Sequence, residues 1–251
     1  MQADFSVELG RDDPVLELPW SSGDSSVRYY DLKKQPALIA QVPEAAAHPE
    51  LSAFLARINA PVFPLQTAKC DAWHSQEILP EEEFFGSEYK FVSYIDLAFT
   101  GRDHQLSFEK HEEFAQELCK LLKRAPEIRA SVEVVIRRCY YREEDQAGAD
   151  CAREAGSESQ NLAGAGGHVR SSEASGEASQ MLISQVGVPK PAAGNDADEE
   201  QNTAFLNADG SQSGFYCTVY IAGFGQNSDE ARKQWSITIT LVQHAVVQTA
   251  K

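Results

Sequence analysis

Hydrophobic and polar residues alternate along several segments of the chain, which is the pattern of β-strands with one buried face. The alternation is clearest in residues 91–99, where Ile95 and Leu97 interleave with Tyr94 and Asp96. The same period, combined with many β-branched and aromatic residues, predicts further strands at residues 66–75, 130–141, 214–224 and 235–247.

Shorter alternating segments occur near the N-terminus. Residues 5–9 and 16–20 alternate on either side of the turn sequence Gly-Arg-Asp-Asp-Pro, which predicts a β-hairpin. Residues 27–32 and 36–42 are two more strand candidates because of their length and apolar content. We expect the hairpin to pack on the domain that follows it.

Two segments have apolar residues at helical spacing instead. One is residues 43–60, in which Phe54 and Ile58 belong to the apolar stripe. The other follows Ser107, a suitable N-cap, and has acidic residues early and basic residues late. Short helical turns are predicted at residues 80–85 and 228–232.

The order of these elements is strand, helix, strand, strand, helix, strand, followed by two more strands, and this order predicts an α+β fold. We expect a ferredoxin-like βαββαβ core with additional β-hairpins, forming one largely antiparallel sheet covered by two helices on one face. Alternation assigns ten residues to the helix-covered face: Ile95, Leu97, Val132, Val134, Ile136, Val219, Ile221, Ile237, Ile239 and Leu241.

Charge is distributed unevenly along the 251 residues. The 22 Lys and Arg against 38 Asp and Glu give a net charge of −16, and residues 143–213 hold 13 acidic and 3 basic residues, a net −10. This Ala-, Gly- and Ser-rich segment has Phe205 as its only aromatic residue, too little apolar area to offset the entropy of ordering. We predict four parts: an N-terminal hairpin and strand (1–35), the first part of an α+β domain (36–142), a disordered acidic insertion (143–213), and C-terminal strands completing the same domain (214–251).

The face opposite the helices is predicted to be both polar and aromatic. Tyr and Trp combine apolar area with a hydrogen-bonding group, and Asp96 and Arg137 could pair across strands or contact a ligand directly. This face is either covered by the N-terminal hairpin or another subunit, or it binds a ligand or partner. The candidate binding residues are Trp73, Tyr94, Asp96, Arg137, Tyr216 and Tyr220.

The sequence contains no motif that supports catalysis or cofactor binding. Cys70 and His74 form the densest metal-ligating candidate, but in an extended strand they would lie about 13 Å apart, too far to bind one ion. Cys139 could combine with His111 or His244 as nucleophile and base, but no motif surrounds either pair, and we expect His111 on the solvated side of its helix. We predict no catalytic residue, metal or cofactor.

Charge and composition also restrict partners and compartment. The acidic balance and the absence of a basic cluster argue against a nucleic-acid partner. No segment contains the roughly 18 uncharged apolar residues of a membrane span. Residues 1–9 lack the features of a secretion signal and the five cysteines are an odd number, so we expect the reducing cytoplasm.

The leading hypothesis is therefore a non-catalytic interaction module that binds a protein partner or itself, as in a homodimer, with the acidic insertion as a flexible arm. One alternative is a small-ligand-binding protein or an enzyme of unknown reaction that uses the same polar-aromatic face. The other is an acidic inhibitor or decoy for a basic partner.

Overall fold

Six β-strands form one sheet in the computed structural model, which describes residues 1–20, 28–125, 127–142 and 212–250. The strand order is β1–β5–β6–β4–β3, with β2 also paired to β5. Neighbours among β3, β4, β6 and β5 are antiparallel, whereas β1 and β2 run parallel to β5. The strands are β1 (Gln2–Glu8), β2 (Leu16–Leu18), β3 (Leu65–Ser75), β4 (Tyr89–Phe99), β5 (Ala130–Tyr141) and β6 (Gln212–Gly225).

The predicted α+β class and the largely antiparallel sheet are therefore confirmed, as are the strands predicted at 66–75, 91–99, 130–141 and 214–224. Within the described ranges the chain also forms five α-helices and two 3₁₀ helices. The α-helices are α1 (Pro43–Ala47), α2 (Pro49–Ile58), α3 (Arg102–Gln105), α4 (Phe108–Leu122) and α5 (Ser228–Thr249), and the 3₁₀ helices are Pro36–Gln41 and Pro80–Phe85.

Side-chain caps fix the starts of the two longest helices. Ser107 Oγ accepts a hydrogen bond from the backbone N–H of Lys110 at 3.2 Å, as the sequence predicts for α4. Asn227 Oδ1 accepts one from the N–H of Glu230 at 2.9 Å at the start of α5. Each cap satisfies a donor that the first turn of the helix leaves unpaired.

Three helices, α2, α4 and α5, rather than the predicted two, pack on one side of the sheet, which we call the inner face. Its central row consists of Ile95, Val219 and Val134, which lie opposite one another on adjacent strands and are buried in one cluster with residues of α2, α4 and α5. Full burial of such aliphatic side chains contributes roughly 2 kcal/mol each, so this cluster is the main source of stability.

Trp235 anchors α5 to the inner face. Its ring lies 4.7 Å from that of Phe91, and its Nε1 donates a hydrogen bond to Ser93 Oγ at 2.8 Å. Gly223 permits this close approach, because a Cβ at that position would lie 2.2 Å from the backbone nitrogen of Trp235. The contact therefore depends on a glycine in the strand below the helix.

The predicted strand at residues 235–247 is wrong, since these residues belong to α5. Ile237 and Ile239 alternate with threonines, which is a strand-like pattern over a short window. Ile237, expected in the core, is 40% exposed, and Leu241 is half-buried. The buried residues of α5 recur at helical intervals: Ala231, Trp235, Thr238, Ile239, Val242, Ala245 and Val246.

The predicted N-terminal hairpin is also wrong, because β1 and β2 do not pair with each other. They lie one after the other along β5, with Phe5 opposite Val134 and Leu16 opposite Cys139. Alternation identifies the face on which a side chain lies but not the strand that pairs with it. Residues 36–41 form a 3₁₀ helix rather than a strand, and the described residues of 27–32 contain no strand.

Residues 143–211 of the predicted acidic insertion lie outside the described residues. Tyr141, the last residue of β5, pairs with Gln212, the first residue of β6, so the chain between them leaves and rejoins the sheet at neighbouring positions. No described helix is both long and apolar enough to cross a bilayer.

Candidate functional site

The side of the sheet opposite α2, α4 and α5, which we call the outer face, carries the candidate site. Its central row crosses four strands and consists of two tyrosines between two acidic residues: Asp71, Tyr94, Tyr220 and Glu133. The next row along contains Asp96 opposite Thr218. These side chains share a face because they occupy alternate positions in strands of matched register.

One end of the outer face is covered by Trp20, which follows β2. Trp20 Nε1 donates a hydrogen bond to the carbonyl oxygen of Ala68 at 2.9 Å and fixes the ring over the sheet. Beneath it lies a second, smaller apolar cluster, separate from the main core: Leu16, Leu18, Ala98, Cys139, Tyr141 and Tyr216.

The 3₁₀ helix Pro80–Phe85 covers the other end. The Phe85 ring stacks on that of Phe224 at 4.3 Å, and Lys90 Nζ forms an ion pair with Glu82 at 2.8 Å. The central row lies between the two covers, where Tyr94 and Tyr220 are half-buried.

Three aromatic rings form a continuous line over the uncovered part of the outer face. The Trp73 ring lies 6.3 Å from that of Tyr94, which in turn lies 6.1 Å from that of Tyr220. The Arg137 guanidinium lies 5.5 Å from the Tyr220 ring centroid and extends the line to β5. The edge-to-face contact of Trp73 with Tyr94, the tilted contact of Tyr94 with Tyr220 and the cation–π contact of Arg137 hold the rings in defined orientations.

A hydrogen-bond network fixes the polar residues of the face. Thr218 Oγ1 donates to Asp96 Oδ1 at 2.7 Å and accepts from Arg137 Nη1 at 3.1 Å. Arg137 Nη1 also lies 3.1 Å from the Tyr220 hydroxyl oxygen, to which it donates. The charge of Arg137 is paired with Glu8, because its Nε and Nη2 both lie 2.8 Å from Glu8 Oε2.

Asp96 and Arg137 are thus linked through Thr218 rather than by the direct cross-strand pair that the sequence allowed. Asp96 is only 5% exposed, and burial raises the pKa of its carboxyl from 3.8 to about 6, against the opposing effects of Thr218, Lys69 and Arg137. Its second carboxylate oxygen has no hydrogen-bond partner within the described part of the chain. This acid therefore titrates near neutral pH.

The phenol of Tyr94 is held in its neutral form. Burial raises its pKa above the ordinary value, and the negative charges of Asp96 and Asp71 raise it further. The Tyr94 hydroxyl therefore stays protonated and lies close to two carboxylates. No described residue forms a hydrogen bond with it.

Five of the six predicted site residues converge on the uncovered part of the outer face: Trp73, Tyr94, Asp96, Arg137 and Tyr220. The sixth, Tyr216, lies in the small cluster beneath Trp20, whereas Asp96, although also nearly buried, keeps one carboxylate oxygen in contact with solvent. A partner on the surface would therefore not reach it, and we do not include it in the candidate site.

Sequence reasoning did not identify the roles of Glu8 and Lys69. Glu8 lies opposite Arg137 in the parallel β1–β5 pair. The sequence analysis paired β1 with β2 in a hairpin and therefore did not place Glu8 beside Arg137. Lys69 Nζ lies 5.1 Å from the centroid of the Trp20 ring. The alternating pattern of β1, continued to Glu8, was a signal that could have placed this acid on the outer face.

The other chemical candidates do not assemble into a site. Burial raises the pKa of both Cys70 and Cys139 to about 12, so neither thiol is activated as a nucleophile. His111 is 0% exposed, contrary to the expected solvated position, and its Nδ1 lies 2.8 Å from the carbonyl oxygen of Ser107. Within the described ranges, no three His, Cys, Asp or Glu side chains are placed to hold a metal ion.

Comparison of the chain with models of protein families, with curated proteins and with solved structures finds no match.

Proposed function

We propose that the protein is a non-catalytic interaction module that binds a protein partner on the uncovered part of the outer face. The observation that carries this proposal is the difference between the two sides of one sheet. Helices cover the inner face, while the line Trp73–Tyr94–Tyr220 stays partly exposed between two covered ends. Partly exposed Trp and Tyr residues are typical anchors of protein interfaces.

The outer face is also preorganised for binding. Thr218 and Arg137 fix Asp96 and Tyr220 through hydrogen bonds before any partner arrives. A surface whose side chains are already ordered loses less conformational entropy on association. The network therefore favours a defined interface.

The test is a selection of binding peptides from a random displayed library against the full chain. The triple variant Trp73→Ala/Tyr94→Ala/Tyr220→Ala serves as the comparison, and Val62→Ala, at a 97% exposed position in the α2–β3 connection, serves as the control. We expect enriched peptides to bind the wild type and the control about tenfold more tightly than the triple variant. Equal binding to all three proteins would refute the proposal.

Asp96 favours a second candidate function, a small-ligand-binding protein or an enzyme. A buried carboxyl with a pKa of about 6 matches the requirement of a general acid or base near neutral pH. Native mass spectrometry of the tag-free protein tests this candidate. A reproducible small-molecule adduct that Asp96→Asn loses would favour it over the interaction module, whereas the absence of any adduct on both proteins would count against it.

We also propose that the sheet is ferredoxin-like in a circularly permuted chain order. The order β5–β6–β4–β3, with β6 antiparallel to both neighbours, supports this interpretation. In it, β6 and α5 correspond to the first strand and helix of a βαββαβ unit, and β3, β4, α4 and β5 correspond to the rest. For the compartment we propose the cytoplasm, and the free thiols of the four described cysteines support this.

A further inference from the structure

The uncovered part of the outer face has a negative charge that its own basic residues do not neutralise. Arg137 is paired with Glu8, so these two charges cancel. Asp4, opposite Glu133 on β1, is likewise paired with Lys123. The remaining charged residues are Asp71, Asp96 and Glu133 against Lys69, which leaves a net charge of −2 when all are ionised. A partner of positive charge is therefore favoured over a neutral or negative one.

The acidic residues lie next to the exposed aromatic rings. Asp71 is directly opposite Tyr94, and Glu133 is directly opposite Tyr220, at the two ends of the central row. With about 4.8 Å between strands, the row spans about 14 Å from Asp71 to Glu133. Two residues four positions apart in an extended peptide are separated by about 13 Å, so a peptide lying across the strands could reach both acids.

Asp96 provides an independent observation. It is 5% exposed and lies on the outer face, and its second carboxylate oxygen, to which no described residue donates, still contacts solvent. Thr218 donates to its other oxygen, so the solvent-facing oxygen is the one that a charged donor from a partner would pair with. A lysine or arginine side chain placed between Tyr94 and Asp96 would supply that donor.

We propose that the partner of the outer face is a basic, extended segment of another protein, with Lys or Arg side chains packed on Tyr94 and Tyr220 and paired with the acidic residues around them. This inference rests on the proposed function and specifies that the protein partner presents a basic, extended segment. Cation–π contact and ion pairing favour the same side chains at the same positions.

Charge disfavours the other two occupants of this face. A second copy of the chain would bring two acidic surfaces together, which is repulsive. The insertion at residues 143–213 has a net charge of −10 and lacks the positive charge that this face complements. A basic segment of a different protein is the occupant that this face complements.

The experiment uses the full chain and a labelled peptide in which Lys and Arg alternate with Ser. Matched peptides carry Gln or Glu in place of the basic residues, and binding is followed by fluorescence anisotropy at low and physiological salt. We expect the basic peptide to bind, the Gln and Glu peptides to bind at least about tenfold more weakly, and salt to weaken the basic complex.

Two variants with the same net charge locate the binding. Asp71→Asn/Glu133→Gln removes two acids from the outer face, while Glu199→Gln/Glu200→Gln removes two from the insertion. We expect the first to weaken binding of the basic peptide about tenfold and the second to change it less than twofold. Equal effects of the two variants would overturn the inference, since they would show non-specific attraction to net charge.

A photo-crosslinking form of the basic peptide keeps the test valid if the outer-face variant does not fold. Mass spectrometry of the crosslinked wild type should map the peptide to the outer-face residues of β3, β4, β6 and β5, and crosslinks elsewhere would overturn the inference. If selected peptides require Trp73, Tyr94 and Tyr220 but are not basic, the proposed function stands and this inference fails. If they do not require these residues, both fail.

Discussion

The two faces of the sheet use the same strands for opposite purposes. On β4, Ile95 and Leu97 are buried under the helices, while Tyr94 and Asp96 lie on the outer face. The inner face buries aliphatic side chains and has the Trp235–Ser93 hydrogen bond among its few polar contacts. The outer face has an acid, a threonine and an arginine joined in one network.

This difference separates stability from recognition. Apolar burial on the inner face supplies most of the folding free energy, because its residues are removed from water without a compensating polar cost. Buried polar groups on the outer face must be hydrogen-bonded to avoid a penalty, so they add little net stability but hold the surface in one arrangement. The outer face can therefore change more freely than the inner face without loss of the fold.

The largest expected effect comes from exchanging a tryptophan on each face for alanine. Trp235→Ala should lower the free energy of unfolding by about 4 kcal/mol, because it removes a fully buried ring packed on Phe91 and leaves a cavity. Trp73→Ala should cost about 1 kcal/mol, since this ring is only half-buried and lies against Tyr94. Urea unfolding of both variants measures the two values.

If the two substitutions lowered the free energy of unfolding by similar amounts, the inner face would not be the main source of stability. Circular dichroism of each variant before unfolding serves as the control, because a collapsed Trp235→Ala variant would have no native baseline. In that case Trp235→Phe, which keeps a ring next to Phe91 and loses the hydrogen bond to Ser93, gives the measurement instead.

Asp96 provides a pH-dependent comparison of intermediate size. Its pKa is about 6 in the folded protein and 3.8 as an ordinary carboxyl, so the folded state binds the proton more tightly. The resulting stabilisation is fully present below pH 3.8 and is lost as the pH rises through 6. The wild type should therefore lose about 2 kcal/mol of stability relative to Asp96→Asn between pH 4.5 and pH 8.

Urea unfolding at several pH values measures this difference. Thr238→Val, a change at a buried position of α5 remote from any titrating group on the outer face, should give a difference from the wild type that does not vary with pH. A constant difference for Asp96→Asn as well would show that the Asp96 carboxyl is not desolvated by the sheet and its covers.

Local sequence pattern was sufficient for most of the sheet. The alternation in β4 gave both the buried Ile95 and Leu97 and the outer-face Tyr94 and Asp96, because each side-chain position in a strand alternates by geometry. Once the strands were identified, alternation alone predicted that Trp73, Tyr94, Arg137 and Tyr220 share one face. The candidate site could be predicted to this extent without knowledge of the strand order.

Strand pairing and the last helix could not be predicted in this way. A parallel neighbour of β5 and a hairpin have the same alternation, so the pattern of β1 did not reveal that Glu8 lies opposite Arg137. In α5, Ile237 and Ile239 alternate with threonines over a short window, while the helical period extends over the whole segment. The pairing of β1 with β5 depends on contacts between distant parts of the chain, which local alternation does not contain. The helical period of α5 becomes visible only when the whole segment is considered.

The smallest expected effect distinguishes the two tyrosines of the central row. Tyr220 accepts a hydrogen bond from Arg137 at 3.1 Å, whereas no described residue bonds to the hydroxyl of Tyr94. Tyr220→Phe should therefore lower the free energy of unfolding by about 1 kcal/mol, and Tyr94→Phe should change it by less than about 0.5 kcal/mol. Urea unfolding at pH 7 measures both. If Tyr94→Phe proved the more destabilising, the Tyr94 hydroxyl would already have a partner within the fold and would not be available to a ligand of the outer face.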